Sequence, residues 1–194
     1  MKLSATLQYL FTLIILVRSL CSTDFAPHIP SFPLQFSANL DITANLIDPS
    51  SEYPPRVRKL TIYYDYIQKR ARADIEEGYE AAKTYIRKYD DSNEYMVRYP
   101  PIDDCKRSYL GVNMPFPDIS AAYYENIETI SGTECYHYIH EDFESIVHIY
   151  MSVIDNKPVR LIQESIENGI STALMTYDYS SVSLQAPADE VFEV

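Results

Sequence analysis

Residues 34–47, LQFSANLDITANLI, decide the fold of this chain. Apolar side chains occupy every second position, at Leu34, Phe36, Ala38, Leu40, Ile42, Ala44 and Leu46, and polar side chains fill the positions between them. Consecutive side chains of a β-strand point to opposite faces of a sheet, whereas a helix would spread these residues around its circumference. The period of two therefore predicts a long strand with one buried face and one solvated face.

Further strands are predicted on the C-terminal side of this one. Alternating or wholly apolar runs bounded by turn residues mark them at 57–67, 70–75, 83–89, 94–99, 133–140, 145–154, 159–165, 170–179 and 182–184. EEG (76–78) and ENG (167–169) are read as hairpin turns, and residues 76–86 also fit a helix. The run 145–154 is apolar on both faces, which is typical of a central strand.

The segment 100–132 interrupts this series. Its prolines break regular structure, so an irregular insert is predicted here. Asp118 is a candidate N-cap for one short helix running through Ala121 and Tyr124. The sequence thus predicts a mainly β chain of antiparallel strands with one short helix in an irregular insert.

The composition excludes several classes of protein. The chain has 194 residues, of which 46% are hydrophobic and 23% charged, as expected for a packed globular domain. Its 4 glycines are too few for a phosphate-binding loop together with the turns of a nucleotide-binding fold. A net charge of −12 argues against nucleic acid as a partner, because phosphate binding needs clustered cations.

The first 21 residues are predicted to be a cleaved secretory signal peptide. Lys2 precedes an apolar run from Leu7 to Val17, and Ser19 and Cys21 provide small residues two apart. Cleavage is expected after Cys21 or one residue later, and an uncleaved anchor is the alternative. No second apolar stretch is long enough to span a bilayer, so the mature protein is expected in the extracellular space or the lumen of the secretory pathway.

Cleavage would leave two cysteines. Cys105 and Cys135 form an even pair in an oxidising compartment, which predicts a disulfide between them. Two free buried thiols are the alternative.

Four stretches of the chain carry a resemblance to a known group of proteins. They are FPLQFSANLDI, RKLTIYYDYIQKRARADI, DDCKRSYLG followed by MPFP, and KPVRLIQE before a long final hairpin. With these stretches in this order, the chain resembles the LolA/LolB-like superfamily. Within that superfamily it resembles a secreted eukaryotic LolA-like protein that is distantly similar to ependymin-related proteins. The resemblance implies a curved antiparallel sheet that forms a half-open barrel around an apolar cavity. It implies this domain over residues 34–187. The three prolines and the lack of periodicity at 22–33 predict an extended arm before the domain, and the composition of 188–194 predicts an acidic tail after it.

No catalytic motif is found in the sequence. A nucleophile elbow, an HExxH helix, a P-loop and paired carboxylates on a helical scaffold are all absent, so the chain is not expected to be an enzyme. Cys135, His137 and His140 are poor metal ligands, because in a strand His140 points away from the other two. No metal site and no cofactor are predicted, and weak binding of calcium at surface acidic pairs is the remaining alternative.

The apolar strand faces carry the positive prediction. A curved sheet with one short helix has little to cover its inner side, and an uncovered apolar face is a binding cavity or an interface. The predicted ligand-binding residues are Phe36, Leu40, Ile42, Leu60, Ile62, Tyr64 and Tyr150, with Ile146, His148, Leu161 and Leu174 as further candidates on one concave surface. The cavity is expected between residues 34–47 and 108–120, lined by Leu40, Ile42 and Ile62.

Two functions fit this face. The first is a secreted, non-enzymatic binding protein for a hydrophobic small molecule, either a lipid or a fatty acyl group. The alternative is an extracellular interaction module that forms a homodimer through the same apolar face.

Overall fold

The computed structural model describes residues 31–44, 57–78, 81–116, 118–167 and 170–194. These residues form eleven β-strands and one short 3-10 helix at Asp189–Phe192. The strands are β1 Gln35–Ala44, β2 Val57–Asp65, β3 Arg70–Gly78, β4 Lys83–Lys88, β5 Asn93–Arg98, β6 Asp104–Tyr109, β7 Tyr123–Ile130, β8 Thr133–Glu141, β9 Ser145–Ser152, β10 Pro158–Glu167 and β11 Ile170–Ser183.

All eleven strands belong to one antiparallel sheet. Their order is β6-β5-β4-β3-β2-β1-β11-β10-β9-β8-β7, so β1 lies in the middle and each half is a simple meander. The sheet does not close, since β6 and β7 form its two edges. It is a curved, half-open barrel of antiparallel strands, as the resemblance to the LolA/LolB-like superfamily implied.

The register gives the sheet one continuous apolar face. Phe36, Ala38 and Leu40 of β1 are buried, whereas Asn39, which lies between two of them, is exposed. We call the side of the sheet that carries these apolar residues the inner face, and the opposite side the outer face. On the strands next to β1 the inner face continues through Leu60, Ile62 and Tyr64 of β2 and through Tyr177 and Tyr179 of β11. The period-two pattern that predicted this strand therefore also sets its register.

Residues 110–122 connect the two edges of the sheet by crossing the inner face. Met114 of this segment is buried in a cluster with Phe36, Leu40 and Tyr64. Ala122, at the other end of the segment, is buried in a second cluster with inner-face residues of β8 and β9. The connection therefore packs against both halves of the sheet.

The C-terminal residues pack on the outer face. The Phe192 ring is 2% exposed and lies beneath the guanidinium of Arg70, 4.2 Å from its centroid. Arg70 also pairs with Asp189 at 2.6 Å, and Arg72 Nη1 donates to the Val191 carbonyl at 2.7 Å. The tail expected at 188–194 is thus an ordered strap over β3.

Several predictions differ from the structure. The EEG stretch is not a turn, because β3 continues to Gly78, and the helix considered over 76–86 is wrong because β3 and β4 occupy its described part. The insert at 100–132 contains the two edge strands β6 and β7. Asp118 starts no helix. Its carboxylate accepts a hydrogen bond from the Ser120 N–H at 2.8 Å, which makes a single turn before β7.

The predicted disulfide is wrong. Cys105 and Cys135 are both free, the first exposed and the second buried. Cys105 lies on edge strand β6, whereas Cys135 lies on β8, almost at the opposite side of the strand order. Their spacing along the chain could not show this lateral separation.

The predicted signal peptide at 1–21 and most of the arm at 22–33 lie outside the described residues. Within the residues that are described, no helix combines the length and the apolar character needed to cross a membrane.

Candidate functional site

A cavity of about 270 Å³ lies between the crossing segment and the inner face of β8–β10. This is close to the lower end, about 300 Å³, of the usual range for small-molecule sites. The lining residues are predominantly apolar: Phe32, Phe116, Asp118, Ile119, His140, Val147, Ile149 and Leu161.

Strand alternation places the wall of this cavity. Val147 and Ile149 are two residues apart on β9, so both point inward. Leu161 of β10 lies directly opposite Ile149, and His140 of β8 lies opposite Val147. These four side chains form a continuous patch across three hydrogen-bonded strands, and this patch is the fixed side of the site.

The roof of the cavity comes from two irregular stretches. Phe32, before β1, packs edge-on against Phe36 with ring centroids 5.6 Å apart. Phe116, in the crossing segment, packs against Tyr66 at 4.9 Å, yet its side chain stays 55% exposed. Ile119 closes the roof on the side nearer to Ala122. Neither irregular stretch is part of the sheet ladder, so backbone pairing fixes the wall of the cavity but not its roof.

Two lining residues bring polar groups to this apolar site. Asp118 is exposed at the rim, where hydrogen bonds from Ser120, with a smaller contribution from His140, lower the pKa of its carboxyl. Nδ1 of His140 is buried and has no hydrogen-bond partner. The hydroxyl of Tyr138, also on β8, is buried and unpartnered as well. Two buried polar atoms thus lie on β8 without a hydrogen-bond partner, and each carries the free-energy cost of an unsatisfied buried group.

The structure brings most of the predicted site residues to one face. Phe36, Leu40 and Tyr64 are buried there, and Ile42, Leu60 and Ile62 are half-buried beside them. Tyr150 lies on the outer face, because it pairs with His137 in the register that turns Ile149 inward. Among the further candidates, Ile146 and His148 also lie on the outer face, whereas Leu161 lines the cavity.

The cavity is displaced from its expected position. Residues 34–47 and 108–120 do face each other, but Met114 packs directly onto Phe36 and Tyr64 and fills the space between them. The cavity lies instead over β8–β10, with Val147 and Ile149 in its wall. The sequence analysis missed these two residues because β9 is apolar on both faces, so its pattern does not show which side turns inward.

The faces on which Cys135, His137 and His140 lie are those that strand alternation predicted. Cys135 and His137 share the outer face of β8, and His140 points to the inner face. Across the described parts of the chain, no group of three or more histidine, cysteine or acidic side chains is arranged to hold a metal ion.

Comparison with known proteins gives a structural likeness alone. No protein-family model matches the chain, and no curated protein matches its sequence. Among solved structures, the chain is similar in fold to a LolA superfamily protein from Nitrosomonas europaea, with a TM-score of 0.39 and 13% sequence identity. That similarity covers 84% of this chain and 92% of the other.

Proposed function

We propose that this chain is a non-enzymatic binding protein for a hydrophobic ligand, a lipid or fatty acyl group, held on the inner face of the half-open barrel. The observation that carries the proposal is the apolar cavity between the crossing segment and the wall formed by Val147, Ile149 and Leu161. Sequence features at residues 1–21 support the further proposal that the protein is secreted.

The physical reason for proposing a hydrophobic ligand is the free-energy cost of exposing the apolar cavity wall to water. Apolar surface is worth about 25 cal/mol per Å² when it is removed from water, so an acyl chain gains by entering the cavity. The wall is preformed by three paired strands, which lowers the ordering cost of binding. Phe116, half-exposed at the edge of the roof, marks the entrance that a long ligand would use.

A binding assay with a matched pair of variants tests the proposal. Val147→Phe fills the cavity from its wall, whereas Val112→Phe makes the same change where the side chain is 63% exposed. We expect the wild type and Val112→Phe to bind a fluorescent fatty acid equally. Val147→Phe should bind it at least about tenfold more weakly at an unfolding cost of about 1–3 kcal/mol.

Native mass spectrometry of the protein as purified provides the second readout. A mass increment equal to a lipid, lost in Val147→Phe, supports the carrier. A wild type that binds neither the probe nor a co-purified lipid overturns it.

The exposed apolar side chains of the crossing segment favour one other function, an interaction module that dimerises over this face. Val112 is 63% exposed and Phe116 is 55% exposed. Sedimentation equilibrium separates the two functions. A lipid-free dimer that dissociates on Phe116→Ser identifies the interface, whereas a monomer with bound lipid identifies the carrier.

A further inference from the structure

Strand β6 is an open edge of the described sheet. It pairs with β5 on one side and is the last strand of the sheet order on the other. Five of its six residues are exposed, among them Cys105 with its free thiol. An exposed edge presents unpaired backbone N–H and C=O groups to any strand that approaches it. This edge is therefore a surface on which a further strand can pair.

The hydrogen bonding between β5 and β6 shows which backbone groups point to the open side. The Leu110 N–H donates to the Ser92 carbonyl at 2.8 Å, just beyond the end of the β5–β6 register. Hydrogen-bonded pairs alternate with non-hydrogen-bonded pairs along an antiparallel ladder. Counting back from Leu110 in this register, Lys106 lies in a hydrogen-bonded pair and Cys105 does not. The N–H and C=O of Cys105 therefore point away from β5.

The charges along this edge are self-complementary. The sequence DDCKR, which begins at Asp103, places two aspartates before Cys105 and a lysine and an arginine after it. Oppositely charged side chains that lie directly opposite each other stabilise an antiparallel pair, and like charges destabilise it. With Cys105 opposite Cys105 of a second copy, Asp104 of each copy lies opposite Lys106 of the other. Asp103, just before the strand, then lies near Arg107 of the other copy.

The same charges disfavour the neighbouring registers. A two-fold axis through Asp104, Lys106 or Arg107 would set two like charges directly opposite each other. An axis through Ser108 or Tyr109 would pair no opposite charges. An axis between two residues would set outward-pointing backbone groups of one copy against inward-pointing groups of the other. Charge complementarity thus selects the register centred on the cysteine.

Asp104 is positioned for this contact by its own chain. Its carboxylate accepts a hydrogen bond from Nε of Arg98 on β5 at 2.6 Å, and this contact lowers the pKa of the Asp104 carboxyl. A carboxylate has about four acceptor positions, so a lysine of a second copy can donate to it as well. Asp104 and Lys106 are two residues apart, so their side chains share one face of the sheet. The two symmetric ion pairs therefore form on the same face.

Exposed apolar side chains lie at both ends of β6. Tyr109 is 81% exposed at the end of the strand, and Ile102 is 51% exposed just before its start. Antiparallel pairing brings the end of one copy next to the beginning of the other. Each Tyr109 then approaches Ile102 of the other copy, which removes apolar surface from water.

The opposite edge strand, β7, is less suited to pairing. Its register with β8 shifts between Tyr124 and Asn126, and such a bulge interrupts an edge. Its charged residues are Glu125 and Glu128, so the strand has no cation of its own to complement them. Pairing of β6 with β7 of another copy would leave an open edge at each end and would extend into filaments.

We propose that two copies of this chain pair antiparallel along β6, about a two-fold axis through Cys105, with Asp104 of each copy opposite Lys106 of the other. Only Asp104, Cys105 and Lys106 of each copy lie in the shared ladder. The contact is smaller than the about 1,000 Å² of a stable interface, so the dimer is weak and forms at high protein concentration. It does not depend on ligand binding, because the cavity lies over β8–β10.

Sedimentation equilibrium over a range of protein concentrations tests the dimer. Lys106→Glu sets a second carboxylate opposite Asp104 in both symmetric contacts, so the dimer should dissociate about tenfold more readily. Lys59→Glu is the control, because it makes the same change at an exposed position of β2. A wild type that stays monomeric at its highest soluble concentration overturns the proposal, and so does an equal effect of the two variants.

Oxidation of Cys105 tests the register. Residues directly opposite each other in a hydrogen-bonded antiparallel pair have Cα atoms about 5.5 Å apart, which a disulfide can span. Two Cys105 thiols and one oxidised glutathione then give one intermolecular disulfide and two reduced glutathiones. We expect a dimer in non-reducing electrophoresis, with Cys105 joined to Cys105 in peptide mapping. The buried Cys135 should remain a thiol.

A displaced thiol provides the matched control for the register. In the double variant Cys105→Ser, Ser108→Cys, position 108 lies opposite Ile102 of the other copy, so the two thiols would lie about 20 Å apart. This variant should form little disulfide under the same conditions. Equal cross-linking of the wild type and the double variant would indicate random collision and would overturn the register.

Two further outcomes identify a different assembly. A dimer that dissociates on Phe116→Ser but persists in Lys106→Glu lies over the inner face and overturns the β6 contact. Filaments that Glu125→Lys disperses indicate pairing of β6 with β7 and overturn it as well. Monomeric protein that binds lipid overturns the dimer alone and leaves the carrier intact.

Discussion

The Tyr64 hydroxyl donates a hydrogen bond of 2.6 Å to the carbonyl oxygen of Pro115, fifty-one residues further along the chain. Tyr64 lies on the inner face of β2, and Pro115 lies in the segment that crosses that face. Next to this bond, Met114 is buried against Phe36 and Tyr64. One strand side chain thus fixes the point where the crossing segment is attached, and the cavity begins just beyond it, at Phe116.

Tyr64→Phe should loosen the crossing segment while the sheet stays intact. The ring remains packed, but the bond to Pro115 is lost, which costs about 1 kcal/mol of unfolding free energy. Limited proteolysis within 110–122 should become faster. Tyr63→Phe is the matched control, because Tyr63 lies on the outer face of the same strand. Equal proteolysis rates in the two variants would show that the bond does not hold the segment.

Tyr138→Phe should stabilise the protein, whereas Tyr64→Phe should destabilise it. The hydroxyl of Tyr138 is fully buried and has no hydrogen-bond partner, whereas its ring packs edge-on against Tyr124 at 6.0 Å. Removing the hydroxyl keeps the ring contact and removes an unsatisfied polar group. We therefore expect a gain of about 1 kcal/mol in urea unfolding. A loss of the size seen for Tyr64→Phe would mean that the hydroxyl has a partner, such as a buried water.

Alkaline pH should unfold the protein through its buried tyrosines. Burial raises the pKa of Tyr64, Tyr138 and Tyr179 to about 12, from an ordinary value of 10.0. The folded state therefore favours the neutral phenols. Their contribution to stability is complete below pH 10 and is lost as the pH rises from 10 towards 12.

Ultraviolet absorbance of tyrosinate, followed together with circular dichroism, measures this effect. Of the 18 tyrosines, Tyr64, Tyr138 and Tyr179 should form a late group that ionises only as the sheet unfolds. Ionisation of all tyrosines in one transition near pH 10, with the sheet still intact, would contradict the prediction.

Strand β1 was predictable because its two faces differ in polarity. Each inner-face residue from Phe36 to Ala44 is followed or preceded by a polar one, so the pattern shows both the strand and the side that is buried. The edge strand β6 has no such contrast. Its sequence, DCKRSY, is exposed at almost every position, so hydrophobic periodicity gives no signal for it, and the neighbouring prolines favour an irregular reading.

The candidate site was only partly predictable, because the two faces of β9 do not differ in polarity. In β9 both alternating sets are apolar, with Val147 and Ile149 on one side and Ile146 and Tyr150 on the other. Which set turns inward is decided by pairing with β8 and β10, and no local pattern contains that information. The spacing of Cys105 and Cys135 likewise says nothing about how many strands lie between them.

The last prediction concerns Asp65, whose buried side chain joins the end of β2 to the start of β1. Asp65 is 0% exposed. Its carboxylate accepts hydrogen bonds from Gln35 Nε2 at 2.8 Å, from the Gln68 N–H at 3.1 Å and from Arg70 Nε at 3.1 Å. Asp65→Asn keeps the shape but removes the charge that these donors share. Arg70 keeps its second partner, so we expect a loss of about 2–3 kcal/mol in urea unfolding, less than for a fully orphaned buried ion. The control is Asp41→Asn, an exposed position of β1 where the change should stay within about 0.5 kcal/mol. Equal losses of unfolding free energy in the two variants would show that the buried carboxylate of Asp65 stabilises the protein no more than the exposed one of Asp41.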